Sequence, residues 1–343
     1  MITRREFATL AAALPAASLW AAKPNSKFGG VQIGAITYTF RALPSSAQEV
    51  LKYCLECGID SVELMNNTAE GYAGAPAQGR GGFGAGGPGG PGGPGGGGQG
   101  RGGRAQATPE QIAARQKAAE EMKQWRLSVS MDKYKAFRKM YQDAGVKIYA
   151  FKLPPSMNMS DQEYDYIWNV AETLGANHVT MELPTADDLL QRVAEFAAKR
   201  KLRIAFHTHG QGGESGFDKA LGASKFTALN LDVGHYFGVN GKSPVPVIEK
   251  YHERIASLHL KDRKGPPPAP AGGESGGQGG PGRGGENMPW GQGKTPLKEV
   301  LQTMKKNKYK FPASIEYEYN TPEGSDVLAE VKKCVKYCKD ALA

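Results

Sequence analysis

An α/β fold with eight parallel strands closed into a (β/α)8 barrel is what this sequence predicts, and three observations predict it. A short, β-branched and apolar run alternates with an amphipathic helical stretch eight times. The first strand is followed by TYTFRALPSS, without the glycine-rich turn that opens a doubly wound dinucleotide-binding sheet. Polar, chemistry-bearing side chains also recur at the carboxyl ends of the strands, where such barrels place their sites.

The elements follow in order. VQIGAITYTF (31–40) precedes the helical SSAQEVLKYCLECG, and IDSVELM (59–65) leads toward TPEQIAARQKAAEEMKQW and DKYKAFRKMYQDAG. VKIYAFKL (146–153) precedes DQEYDYIWNVAETLG, and NHVTMEL (177–183) precedes ADDLLQRVAEFAAKRK. LRIAFHTH (202–209) precedes FDKALGA, and FTALNLDVGH (226–235) precedes PVPVIEKYHER. IASLHLKD (255–262) leads to TPLKEVLQTMKKNK, and ASIEYEY (313–319) to SDVLAEVKKCVKYCKDAL. Several helices open on Ser, Thr or Asp and close near Gly, as capping requires.

Two low-complexity blocks, 71–106 and 264–287, interrupt this rhythm without ending it. They are rich in Gly and Pro and too poor in apolar residues to build a core, so they read as disordered insertions in one barrel spanning 28–343. Residues 1–22 read as a twin-arginine export signal: Thr3-Arg4-Arg5-Glu6-Phe7, an Ala-rich stretch, then small residues at Ala21 and Ala22. That stretch is too short and too weakly apolar for a membrane span, so the expectation is a bacterial periplasmic or secreted protein with no membrane association after cleavage. The formal charge of +9 includes no compact Lys/Arg tract, which points to a solvated basic surface and no nucleic-acid partner. Cys54/Cys57 and Cys334/Cys338 lie on the first and last helices, which closure makes neighbours. This permits a disulfide between the helices, a four-thiolate zinc site, or four small buried residues.

ASIEYEY places Glu316 and Glu318 on one face of the last strand and Ile315, Tyr317 and Tyr319 on the other. The same parity test on the other strands collects Glu63, Lys152, Glu182, His207, His209, Asp232, His235, His259 and Lys261 at the barrel mouth. Opposite-parity neighbours such as Val179, Met181, Leu231, Leu258 and Leu260 are apolar and face the helices. So many carboxylates and imidazoles in one mouth call for a cation to gather them, and Glu, Asp and His together suit Mn²⁺, Co²⁺, Zn²⁺ or Mg²⁺.

LNLDVGHYFG, IASLHLKD and ASIEYEY, in that order and spacing, resemble the sugar phosphate isomerase/epimerase family, with its xylose isomerase-like barrel. WGQGKTPLKEVL resembles that family's Gly-x-Gly turn into the seventh helix. The resemblance runs from Val31 to the C-terminus outside the two blocks and is strongest from Arg203 onward. It implies one divalent metal held by Glu, Asp, His and Glu, and it carries Asp232, His259 and Glu316 onto three of those positions. The first Glu has no counterpart on strand five, which reads Phe206-His207-Thr208-His209. Either Glu182 replaces it from one strand earlier, or His207 or His209 completes the site. The reading adopted takes Glu182 as the fourth ligand. Glu182, Glu316 and His209 are then catalytic, and Glu63, Lys152, His207, His235, Lys261 and Glu318 lie toward a sugar substrate. The chemistry the resemblance implies is proton abstraction beside a carbonyl, giving isomerisation, epimerisation, or β-elimination from an oxidised glycoside. An endonuclease IV-like phosphodiesterase and a non-catalytic sugar-binding protein are the alternatives.

Overall fold

The computed structural model describes residues 23–76, 108–209, 213–266 and 285–343. Its eight barrel strands are β1 (Val31–Ile36), β2 (Ser61–Met65), β3 (Lys147–Lys152), β4 (His178–Glu182), β5 (Arg203–His207), β6 (Thr227–Asp232), β7 (Ile255–Leu260) and β8 (Ala313–Ile315). Each pairs in parallel with its sequence neighbours, and β8 pairs with β1 (Ala313 with Ile33, Ile315 with Ala35) to close the ring. The fold class expected from the alternation is the one observed. Short Lys27–Phe28 adds to β1 in antiparallel fashion, and Asp262–Arg263 forms a two-stranded ribbon with Asn287–Met288 just after β7.

The helices described are α1 (Ala47–Glu56), α2 (Asn66–Ala73), α3 (Pro109–Ser128), α4 (Asp132–Asp143), α5 (Asp161–Leu174), α6 (Asp187–Arg200), α7 (Gly213–Gly222), α8 (Val233–Asn240), α9 (Val245–Tyr251), α10 (Leu297–Asn307) and α11 (Val327–Leu342). Ser46, Thr108, Ser160 and Asp326 cap α1, α3, α5 and α11 by accepting a backbone N–H with the side chain. None of the helices described is long and apolar enough to cross a membrane. The apolar core fills the space between strands and helices, with Val62, Phe151, Val179, Ile204, Leu231 and Leu258 all buried.

Several boundaries differ from the sequence reading: β1 ends at Ile36 and not at Phe40, because Thr37–Phe40 wind into a 3-10 turn, and β5 ends at His207, two residues before His209. β6 stops at Asp232 rather than running to His235, because the Asp232 carboxylate caps α8 by accepting the His235 N–H at 2.7 Å. β8 leaves its ladder after Ile315: the Thr39 hydroxyl donates to the Ile315 carbonyl at 3.0 Å and accepts the Tyr317 N–H at 3.2 Å. The first low-complexity block starts later than residue 71, since α2 continues through Ala73 and ends on Gly74 in the left-handed conformation. Of the second block, Lys264 and Glu286 at its edges are joined by a backbone hydrogen bond of 2.9 Å. The export segment 1–22 and the stretches 77–107 and 267–284 lie outside the described residues.

The chain on either side of 77–107 is held by a buried network. Arg126 of α3 donates to both Glu70 oxygens at 2.8 and 3.2 Å, and Asn66 and Tyr166 donate to the same carboxylate at 2.6 and 3.0 Å. A buried carboxylate that loses a bidentate guanidinium keeps its desolvation penalty without the compensating charge. Arg126→Leu is therefore expected to destabilise the protein by about 3–5 kcal/mol in urea unfolding. Glu70→Gln combined with Arg126→Leu should recover part of that loss.

Closure also settles the cysteines. α1 and α11 lie side by side, with Glu56 and Lys332 paired at 2.8 Å, yet all four thiols are free and buried. Burial raises Cys57 and Cys334 to about 12, and it raises Cys54 and Cys338 as well. They are small core residues. In the native protein a thiol reagent at pH 8 should meet roughly a thousandfold less thiolate than an exposed cysteine offers. Unfolding should release four reactive thiols, counted by absorbance.

Candidate active site

The interior polar residues form two levels. The deeper level centres on Glu63 of β2, which is fully buried. It accepts hydrogen bonds from Thr180 at 2.7 Å and Asn230 at 2.9 Å, and His259 Nε2 lies 2.7 Å from it. Tyr149, hydrogen-bonded to Ser314, stands alongside. Parity placed Glu63 toward the substrate, but its position within β2, two residues before the strand ends, puts it beneath the mouth and closed off from solvent. Burial would raise its carboxyl; the His259 imidazolium and the hydrogen bonds outweigh this and bring it down to about 2.

The upper level gathers side chains from the ends of β5 to β8. One ligand atom each from His207, Asp232, His259 and Glu316 lies within 4.8 Å of the other three, and all four residues are buried. His207 Nε2 is 3.8 Å from Asp232 Oδ2, and His259 Nδ1 is 2.7 Å from Glu316 Oε2. Asp232 spends Oδ1 on the α8 cap; its Oδ2 lies 3.0 Å from the Lys261 ammonium but off the direction of any hydrogen bond. Lys261 Nζ also approaches Glu316 at 3.0 Å, Glu318 at 2.7 Å and His235 Nε2 at 3.1 Å.

These contacts set the charges. Burial opposes ionisation of Glu316, but Lys261 and His259 override it and hold the carboxyl well below its usual range. Asp232 moves the other way, pushed up by burial and by Glu316 against the pull of Lys261. Burial would lower His259, yet Glu63 and Glu316 raise it to about 10. His207 and His235 are held well below the ordinary imidazole value, first by burial and then by nearby Lys152 or Lys261, so they are neutral near pH 7.

Glu182 stands outside the converging four. Its Oε1 pairs with Lys152 at 2.9 Å and its Oε2 lies 2.8 Å from His209 Nε2. The structure thus brings together three of the four residues chosen as metal ligands and supplies His207 where Glu182 was taken. The reason is position: β5 lies between β4 and β6 in the ring, so its final residue is the one beside Asp232. His207, His209 and His235 form a further close group, with the His209 and His235 rings 4.3 Å apart. Of the residues assigned to the substrate, His235 and Glu318 reach the mouth, whereas Lys152 and Lys261 are buried in ion pairs.

The donor chemistry fits a divalent cation. Two neutral-capable imidazoles and two carboxylates converge, and one buried carboxylate oxygen lacks a directed partner. His259, whose Nε2 faces Glu63, has the carboxylate–histidine support common behind metal-binding imidazoles.

Sequence parity missed Asn230, although it sits two residues before Asp232 and so shares its face. It also missed Asp262, whose carboxylate accepts the N–H groups of Gly291, Gly293 and Thr295 at 2.9–3.1 Å and so holds the Gly-x-Gly turn. No strand period could have marked it, because its partners lie past the second low-complexity block.

With the ring closed and this set at its carboxyl-terminal end, the class is a site-bearing (β/α)8 barrel, and comparison with known proteins narrows it. The family described as xylose isomerase-like TIM barrel matches residues 116–338, more than half of the chain, and the chain belongs to it. A sugar phosphate isomerase/epimerase from Parabacteroides distasonis superposes with a TM-score of 0.54 at 15% identity, covering 90% of this chain and 95% of that one. The 3-keto-D-glucoside 4-epimerase of E. coli does so with 0.52 at 10% identity, covering 90% and 100%. At these identities the likeness is one of fold. Inosose dehydratase of Clostridium botulinum (strain Eklund 17B / Type B) is 33% identical over 78 residues, a stretch of 21% of this chain and 26% of that enzyme. The chain therefore matches about a quarter of that relative's length. The relatives of this fold are sugar-modifying enzymes that include epimerases and dehydratases.

Gly234 is the position on which the site's packing turns. A Cβ there would lie 2.2 Å from Lys261 Cγ and 2.5 Å from the Lys261 carbonyl oxygen. Gly234→Ala is expected to cost about 1–3 kcal/mol as an overpacked site. Urea unfolding would show it, and unchanged stability would mean that α8 can move away from β7.

Proposed function

We propose that this protein is a divalent-cation-dependent enzyme that removes a proton beside the carbonyl of a sugar or sugar derivative, as an isomerase or epimerase. The observation that carries the reading is the convergence of His207, Asp232, His259 and Glu316 beside a separate carboxylate, Glu182, whose side chain is partly exposed. The first four would hold the cation. When bound, it supplies Lewis-acid polarisation of the substrate carbonyl. The comparison with inosose dehydratase favours a second outcome of the same first step, loss of a β-substituent as in a lyase. An exported location remains part of the proposal, resting on the Thr3–Phe7 motif.

Glu182 is the base assigned here. Its side chain is 25% exposed against 7% for Glu316, whose Oε2 is already engaged by His259 and Lys261. Burial would push the Glu182 carboxyl up, but Lys152, then the neighbouring imidazoles, hold it well below the usual range, so it stands ionised and ready to accept a proton. A low pKa makes a weak base. A substrate oxygen that draws the Lys152 ammonium from its 2.9 Å contact would strengthen it at the moment of transfer. His209 Nε2, 2.8 Å from Glu182 Oε2, orients that carboxylate and lies where a substrate hydroxyl would meet it. Glu318 and His235, both partly exposed, line the remaining rim.

Solvent exchange tests this directly. Cation-loaded protein in D₂O, given a panel of ketoses, phosphorylated sugars and 3-keto glycosides, should place deuterium at one C–H position of its substrate, read by NMR. Glu182→Gln should slow exchange by about 10²–10⁴-fold. Turnover of a panel member with neither deuterium entry nor a primary isotope effect on the C–H-deuterated substrate would refute proton abstraction.

A further inference from the structure

The identity of the cation can be argued further, on the reading that the four converging residues hold one. The donors are two imidazole nitrogens, from His207 and His259, and two carboxylate oxygens, from Asp232 and Glu316. A third carboxylate stands close by on β4, but Glu182 is committed to Lys152 at 2.9 Å and His209 at 2.8 Å and lies outside the set. Both carboxylates inside the set already face a fixed positive charge. The Lys261 ammonium is 3.0 Å from Asp232 Oδ2 and 3.0 Å from Glu316 Oε2, and Glu318 at 2.7 Å and His235 Nε2 at 3.1 Å keep it there. The lysine is 2% exposed, and its approach depends on the absence of a side chain at Gly234.

Hard ions such as Mg²⁺ and Mn²⁺ draw their affinity from carboxylate and water oxygens, whereas imidazole suits Zn²⁺, Co²⁺, Ni²⁺ and Fe²⁺. An imidazole in the donor set in place of a carboxylate removes negative charge that the hard ions need. An ammonium against the two carboxylates that remain screens more of it, while leaving the imidazole lone pairs untouched. Both features act in the same direction. We infer that His207, with Lys261 as a positioning residue, tunes the centre toward a nitrogen-preferring first-row ion such as Zn²⁺ and away from Mg²⁺ and Mn²⁺.

The test is competitive titration of the chelator-stripped full chain with ZnCl₂, CoCl₂, MnCl₂ and MgCl₂. Zinc is expected to bind roughly a thousandfold more tightly than manganese, with no magnesium binding at millimolar concentration. Because zinc outranks manganese in most nitrogen- and oxygen-donor sites, the wild-type ratio alone does not decide the matter; its change on substitution does. His207→Glu should narrow the zinc-to-manganese ratio by about tenfold or more, and Lys261→Met should strengthen manganese more than zinc. Glu182→Gln should leave both affinities within about threefold. Where His207→Glu fails to fold, the visible spectrum of the Co²⁺-loaded protein serves instead, since His207→Asn must alter it if His207 is a ligand. A chain that binds none of the four ions would overturn the cation centre itself. Binding with a ratio indifferent to His207→Glu and a cobalt spectrum indifferent to His207→Asn would overturn this inference and leave the centre standing. A ratio that moves with Glu182→Gln would assign the fourth position to Glu182 and overturn it equally.

Discussion

His259 is held between two carboxylates, with Glu63 2.7 Å from one ring nitrogen and Glu316 2.7 Å from the other, and none of the three side chains is more than slightly exposed. Their residues come from β2, β7 and the end of β8, and only closure of the ring brings them together. Buried charges without partners are expensive, and the protein avoids that cost by alternating sign around the interior. Lys152 answers Glu182; Lys261 answers Asp232, Glu316 and Glu318; His259 answers Glu63 and Glu316. Each group is held in its protonation state by neighbours on other strands, so the set behaves as one electrostatic unit.

The two levels divide the labour. Glu63, Thr180 and Asn230 make a sealed polar floor that orients His259 and reaches no solvent. Glu182, His209, His235 and Glu318 keep partial exposure and are the groups a substrate can meet. Between them lie the four converging residues, His207, Asp232, His259 and Glu316. Support of this kind fixes the orientation of the imidazole ring.

The described chain is anchored at the points where residues 77–107 and 267–284 leave and rejoin it. One stretch begins after α2 and returns at α3, and the Glu70–Arg126 pair ties those helices together. The other begins and ends on the ribbon of Asp262–Arg263 with Asn287–Met288, and the Asp262 carboxylate gathers three backbone N–H groups from the turn beyond it.

Much of this was legible along the chain. Eight alternations, capping residues and apolar parity were enough for the barrel, and the strand-end parity test collected Asp232, His259 and Glu316, three of the four residues that converge. These are local properties: helix and strand periods, and the face on which a side chain falls, depend on a residue and its near neighbours. The fourth member of that group was not legible, since Glu182 and His207 satisfy the same parity test and differ only in how far around and up the ring their strands carry them. The depth of Glu63, the capture of Lys261 by three carboxylates, the early end of β6 at a helix cap and the free state of the cysteines belong to the same class. Sequence by itself determined which residues face inward. Tertiary structure decided which of them touch, because strand stagger and ring closure set distances between groups far apart in the chain, and those distances decide which charges pair.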